Sequence, residues 1–288
     1  MAAKILDGKA CSEQALELIS KNIGDTPPTL VIYRIGDDPA SAVYVRNKVR
    51  AAERVGIRAI VREYPAELRP SNFLHVTKSI EMDAENPEID GIMVQLPLPE
   101  EWYDGSLIDR IPPEKDVDGL TSENMGLLYD DRAWHDPCTA KGIMWLLHEN
   151  GIHITGKHVV VVGRSEIVGR PVAMMALANN ATVTICHSHT KNLAEMTRQA
   201  DILIVAVGKP KLITADMVKP GAVVVDVGIN RTEEGKLVGD VDFDNVKEVA
   251  GWITPVPGGI GPMTVAMLMH NTFHAQRKPW QYNKYTGE

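Results

Sequence analysis

The chain has 288 residues, 44% of them apolar and 24% charged, enough to bury a core in each of two domains and too ordinary in balance for global disorder. Its formal net charge of −8 argues against nucleic acid or an anionic membrane as the main partner. An acidic total still leaves room for a local site that takes an anionic small ligand.

In chain order, Ser12 to Ile23 has the spacing of an amphipathic helix, and Thr29–Ile35 (TLVIYRI) reads as a buried strand. Ala40 to Val55 is helical in period and stops at Gly56. A strand at Ile57–Glu63, a helix after Pro70 and a strand at Ile89–Gln95 follow. Strands separated by single helices imply parallel pairing through right-handed crossovers, so the first domain is α/β. Between Leu96 and Pro137 the pattern loosens into prolines, glycines and acids. Thr139 to Asn150 is helical again and leads into a second run of strands: His158–Val162, Thr182–Cys186, Asp201–Val207 and Ala222–Val227. A last apolar helix is expected at Met263 to Ala275, and a peripheral tail after Arg277.

Three cysteines, Cys11, Cys138 and Cys186, stand far apart with no CxxC pair, so neither a zinc site nor a disulfide framework is indicated. The pairs His187/His189 and His270/His274 lack an evident third ligand, and no metal is expected. The N-terminus has neither a secretion-signal core nor an Arg-rich presequence. No run approaches the ~18 apolar residues of a membrane span. A cytoplasmic location is the expectation.

The segment Val159 to Pro171, VVVVGRSEIVGRP, runs a strand into Gly163 and a helix through Gly169. That strand–turn–helix geometry sets a pyrophosphate on backbone N–H groups. It departs from G-x-G-x-x-G, with Ser165 at the second glycine and Gly169 one place late. A plain βα turn is the alternative. The next strand exits at Cys186-His187-Ser188-His189 without the acid that would grip a ribose 2′-hydroxyl, while Arg164 sits in the turn. A missing acid with an available guanidinium favours NADP over NAD, unless Arg164 is merely solvated. Tyr44 and Lys48 share a helix face, and Gln95 ends a strand, where ligand groups in parallel sheets gather. Asp116 and Asp118 lie in a turn, where aspartates often bond only their own backbone.

Together these segments resemble the bifunctional methylenetetrahydrofolate dehydrogenase/methenyltetrahydrofolate cyclohydrolase family along nearly the whole chain. The resemblance rests on Tyr44-Val-Arg-Asn-Lys48, Asp90-Gly-Ile-Met-Val-Gln95-Leu-Pro-Leu-Pro99, Pro113-Glu-Lys-Asp-Val-Asp118-Gly119, Gly163-Arg-Ser-Glu-Ile-Val-Gly169 and Thr254-Pro-Val-Pro-Gly-Gly-Ile-Gly-Pro-Met-Thr264. One departure is Ala140, which follows Pro137-Cys138-Thr139 where the family usually has proline. The resemblance implies oxidation of methylenetetrahydrofolate by NADP, then hydrolysis of the methenyl cation to 10-formyltetrahydrofolate, serving one-carbon metabolism and purine biosynthesis. Lys48 would handle protons, Gln95 would hold and tune it, Tyr44 would stack on the folate, and Asp118 would accept hydrogen bonds from the pterin. Leu96, Pro97, Pro257, Gly258, Gly259 and Gly261 complete the implied substrate site. Gly163, Arg164, Ser165, Ile167, Val168, Gly169, His187, Ser188, Gly208 and Ile229 form the implied cofactor site.

The implied architecture is an N-terminal α/β catalytic lobe, residues 1–139 plus 265–288, and a Rossmann-type NADP domain, residues 140–264. The last helix would return to the first lobe, leaving two chain crossings and a cleft between the lobes. A homodimer through the cofactor domain is expected, with no nucleic-acid or membrane partner. No attached formate-activating module is expected. The rival readings are another two-domain Rossmann dehydrogenase and a non-catalytic folate- or nucleotide-binding protein.

Overall fold

A computed structural model describes residues 2–67, 69–102, 106–232 and 234–277. The expected peripheral tail lies outside the described residues. In chain order the elements are β1 (Lys4–Ile5), α1 (Gly8–Asn22), β2 (Thr29–Ile35), α2 (Pro39–Val55), β3 (Arg58–Tyr64), α3 (Pro70–Glu85), β4 (Gly91–Val94) and α4 (Ser122–Tyr129). Then come α5 (Cys138–Glu149), β5 (His158–Val162), α6 (Gly169–Ala178), β6 (Thr182–Cys186), α7 (Leu193–Thr197), β7 (Ile202–Val205) and β8 (Val223–Asp226). The hairpin β9 (Asn230–Arg231) and β10 (Leu237–Val238), α8 (Phe243–Val246), β11 (Trp252–Ile253) and α9 (Ile260–Ala275) complete the chain.

Two compact units result. One comprises Gln14–Cys138 and the chain from Val265 on; the other comprises the chain up to Glu13 and Thr139–Thr264. The last helix contributes its residues from Val265 to the first of these. The N-terminus departs from expectation: residues up to Glu13 group with the second unit, because β1 pairs in parallel with β11. The chain therefore passes between units three times rather than twice, within α1, at the start of α5 and within α9.

The first unit holds a parallel three-stranded sheet in the order β3-β2-β4. Central β2 is buried at six of its seven residues, the pattern of a strand covered on both faces. Val31, Tyr33, Ile92 and Val94 share a core with Val76 and Ile80 of α3 and with Trp102. Fully buried Leu, Ile or Val side chains there stabilise by about 1.5–3 kcal/mol each before entropy is counted. Helix α2 starts at Asp38, whose carboxylate accepts the N–H of Ser41 at 2.6 Å, and closes at Gly56 in the left-handed region, φ 86°. Its buried stripe is Ser41, Val45, Lys48, Ala51, Ala52 and Val55. Lys48 therefore lies on the apolar face.

The second unit is a six-stranded sheet, every pair parallel, in the order β1-β11-β8-β7-β5-β6. Val160, Leu203, Val224 and Ile253 align across four strands and lie in one buried core. β6 is an edge strand. The order reverses between β5 and β7, the topological switch point where such sheets bind ligands outside the carboxyl ends of their strands.

Candidate active site

Burial on α2 would be costly for a charged Lys48, and the structure supplies one strong partner. Lys48 is 8% exposed and Gln95 6%. The Lys48 Nζ donates to Gln95 Oε1 at 2.9 Å and lies 3.5 Å from Met93 Sδ. Met93 and Gln95 are two apart along β4 and its exit, so they point to one face. Gln95 in turn donates its Nε2 to the carbonyl of Leu96, which leaves Oε1 as the end offered to the amine. Burial lowers the Lys48 pKa below its usual 10.5, while the charge of Asp118 opposes that shift.

The two turn aspartates have separate duties. Asp116 is buried and accepts the N–H groups of Gly119 and Thr121 and the Asn124 amide at 2.8–3.0 Å. Asp118 is half-buried; among the described residues its carboxylate accepts no hydrogen bond, while it acts on Lys48 through its charge. The turn is braced by Asn271 of α9, whose Nδ2 donates to the carbonyls of Val117 at 2.9 Å and Asp136 at 3.0 Å. Cys138 donates its thiol to the same Val117 carbonyl at 3.2 Å. Tyr44, one turn before Lys48, is 41% exposed, so its ring face is open to a planar ligand. Leu96 is half-buried and Pro97 exposed, joined by a cis peptide. Tyr44, Lys48, Gln95, Leu96, Pro97 and Asp118 thus belong to one unit.

Sequence reasoning missed Met93, Cys138 and Asn271 as members of this site. The period of two along β4 points to Met93. Cys138, with no CxxC neighbour, carries no functional cue in the sequence, and Asn271 lies on a helix with no spacing cue to the turn it braces.

In the six-stranded unit, β5 leads into the turn Gly163-Arg164-Ser165. Gly163 has φ 128°, and a Cβ there would lie 2.2 Å from the Ala206 carbonyl oxygen. A Cβ on Gly169 would lie 2.4 Å from the oxygen of Gly163. Gly169, although one place late in the fingerprint, does the job of its last glycine, close approach of helix to strand. Ser165 Oγ accepts the Gly169 N–H at 3.3 Å. Arg164, Ser165 and Ile167 are exposed and Val168 half-buried, and Arg164 makes no ion pair among the described residues. His187 and Ser188 follow edge strand β6; His187 donates its N–H to Thr190 Oγ1 at 2.8 Å, and its Nδ1 accepts from His189. The turn, the free guanidinium and the acid-free exit of β6 fit a dinucleotide with a phosphorylated ribose. Gly208 and the 45%-exposed Ile229 follow β7 and β8.

The Thr254–Thr264 segment also lies in this unit. Pro257 is exposed and joined to Val256 by a cis peptide; Gly258 and Gly261 are half-buried and Gly259 is buried. Lys9 donates its N–H to the Gly258 carbonyl at 2.9 Å, which ties the N-terminus to this loop. None of the three cysteines is in a disulfide, and all are buried. Among the described residues no group of three His, Cys, Asp or Glu is placed to hold a metal ion, and no helix is long and apolar enough to cross a membrane.

Comparison with known proteins matches residues 6–118 to the tetrahydrofolate dehydrogenase/cyclohydrolase catalytic domain and residues 137–279 to the NAD(P)-binding domain of the same name. The bifunctional protein FolD of Moorella thermoacetica is 52% identical over 284 residues, covering 96% of this chain and 100% of that protein. That of Bordetella avium is 49% identical over 283 residues, covering 96% and 99%. Among solved structures, the bifunctional FolD enzyme of Campylobacter jejuni superposes with a TM-score of 0.90 at 42% identity, over 96% of this chain and 99% of that one. The Trypanosoma brucei methylenetetrahydrofolate dehydrogenase-cyclohydrolase, complexed with NADP cofactor and inhibitor, scores 0.91 at 35% identity, over 98% and 100%.

Proposed function

This chain belongs to the tetrahydrofolate dehydrogenase/cyclohydrolase family, and from that premise we propose how its residues divide the two reactions. The enzyme oxidises 5,10-methylenetetrahydrofolate with NADP and hydrolyses the methenyl product to 10-formyltetrahydrofolate. NADP, when bound, supplies the hydride acceptor. The unit of Lys48 is proposed to carry the folate and the six-stranded unit the cofactor.

One observation carries the assignment of Lys48: a buried amine, drawn toward neutrality, aimed by Gln95 at 2.9 Å. Hydride loss is driven by the folate nitrogen lone pair and asks little of a protein acid or base. Hydrolysis does need one. The neutral Lys48 amine takes a proton from the water that attacks the methenyl carbon, and the resulting ammonium returns it to the ring nitrogen whose C–N bond breaks, while the remaining hydroxyl proton passes to solvent as the formyl C=O forms. Gln95 fixes the amine through its carbonyl end. Asp118, with unfilled acceptor capacity, receives the amino and ring N–H groups of the pterin, and Tyr44 offers its exposed ring for stacking. Arg164, supported by His187 and Ser188, receives the 2′-phosphate; Gly163, Ser165, Ile167, Val168, Gly169, Gly208 and Ile229 line the cofactor. Leu96 and Pro97, beside Gln95 on the same unit, complete its folate contacts.

The decisive experiment replaces Lys48 by Met, which keeps most of the stem and removes the amine. Cyclohydrolase turnover should fall by the ~10²–10⁴-fold typical of losing a general acid–base group. Dehydrogenase turnover should fall less, because there the residue only positions. A Lys48→Met enzyme hydrolysing methenyltetrahydrofolate at the wild-type rate would overturn the assignment. We further propose a cytoplasmic homodimer whose 10-formyl product feeds purine biosynthesis.

A further inference from the structure

Two buried carboxylates in the six-stranded unit remain unused by this scheme. Asp226, the last residue of β8, is 2% exposed, and Asp240, after the β9–β10 hairpin, is fully buried. Among the described residues neither makes an ion pair; each is satisfied by donors from loops that the sheet would otherwise leave independent. The Asp226 carboxylate accepts the N–H groups of Gly228 at 3.0 Å and of Asp240 and Val241 at 2.9 Å. The Asp240 carboxylate accepts the N–H groups of Val207 at 2.6 Å and Gly208 at 2.9 Å, and the Asn230 amide at 2.9 Å. Thr254 Oγ1 accepts the Asp226 N–H at 2.7 Å, which ties in the chain after β11.

The two side chains interlock. A Cβ on Gly239 would lie 1.8 Å from Asp226 Oδ2, and one on Gly228 would lie 2.2 Å from the Asp240 carboxyl carbon. Each carboxylate is therefore walled by a glycine beside the other. Burial raises the Asp226 pKa to about 6, with Asp240 adding to the rise and the three N–H donors opposing it. A fold that needed only a filled core would gain more from apolar residues here.

What the pair does is join the loops after β7, β8 and β11, adjacent strands on one side of the switch point. The phosphate turn after β5 stands at the switch point itself, and β6, with His187 and Ser188, lies on its other side. In sheets of this type the two halves of a dinucleotide fall on the two sides of that point. We propose that Asp226 and Asp240 are positioning residues for the nicotinamide half of NADP, setting the backbone of Val207-Gly208 and of Gly228–Asn230 against which that half rests. The inference depends on the reading that this unit takes NADP.

The test measures binding of two probes to the full chain: NADP, and adenosine 2′,5′-bisphosphate, which carries only the adenine half. Asp240→Asn and Asp226→Asn each turn a carboxylate oxygen facing backbone donors into a competing donor. Losing charge-assisted bonds of this kind should weaken NADP roughly tenfold or more. Adenosine 2′,5′-bisphosphate should bind within about twofold of wild type, since its contacts lie on the other side of β5. Unchanged NADP affinity, or equal loss of both probes, overturns the proposal, because a merely structural pair would affect both alike. Should the buried variants fail to fold, Asn230→Ala removes one donor to Asp240 and must show the same selective loss. Wild-type protein that binds neither probe would instead overturn the reading of this unit as the NADP unit.

Discussion

Lys48 is held between opposing influences. Burial drives its amine toward the neutral form, and the negative charge of Asp118 pulls it back. A lysine with a lowered folded pKa penalises the fold below that pKa and loses the penalty as pH rises toward 10.5. The neutral amine is also the form that accepts a proton. Cyclohydrolase turnover should therefore climb with pH through a midpoint below the usual lysine range, and the climb should vanish in Lys48→Met. Asp118→Asn removes a charge that favours the ammonium, so the climb should move to lower pH. The same change should raise the folate KM of both reactions, because an acceptor becomes a donor. A pH–rate profile that Asp118→Asn leaves in place would mean the two side chains are not coupled. Arg164 admits a separate test. With no competing ion pair among the described residues, its loss in Arg164→Ala should cost about 1.5–3 kcal/mol of NADP binding, a ~10- to 150-fold effect. NAD binding should barely change; equal weakening of both would reduce Arg164 to a support for its turn.

At the scale of elements, the strands β2, β5 and β6 are legible to the residue, because a continuous apolar or β-branched run bounded by turn residues has few other solutions. The helices are legible through caps and period: Gly56 ends α2 in the sequence as in the structure, where Asp38 and Pro39 open it. Two-residue β1 and β11 were not legible. Their lengths carry no periodicity, and they pair, Lys4 with Trp252 and Ile5 with Ile253, across almost the whole chain. Helix α4 escaped within the loop-like region, although Thr121 caps it by accepting the Asn124 N–H. Of the site, Lys48 and Gln95 were legible because a strand end and a helix face are sequence features. Asp226 and Asp240 were not, since an aspartate after an apolar run reads as a turn residue wherever its carboxylate points. The β5–α6 junction offers the element-scale prediction. Gly169→Ala drives a methyl group to 2.4 Å from backbone oxygen, which only movement of the helix can relieve. The variant should lose about 1–3 kcal/mol of stability together with NADP affinity, read by thermal melting and titration. Unaltered melting and binding would show that the junction is looser than its geometry.

At the scale of the whole molecule, edge strand β6 calls for a cover. It is the outer strand of the six-stranded sheet, paired on one side only, with β5. Its sequence, TVTIC, is β-branched, and Ile185 is 37% exposed. The opposite margin is β1, two residues long, too short to template another chain. A longer edge without charge or proline invites pairing unless something caps it. A two-fold axis beside β6 would supply that cap by setting the strand against its own copy, an isologous contact needing no other partner. The expected outcome of sedimentation equilibrium at micromolar concentration is a species of twice 31.6 kDa. Ile185→Lys should return it to the monomer mass, since a charge on an edge strand is a common means of blocking such pairing, and each monomer should still bind NADP. A wild-type monomer at that concentration would refute the dimer, and an Ile185→Lys dimer would move the interface away from β6.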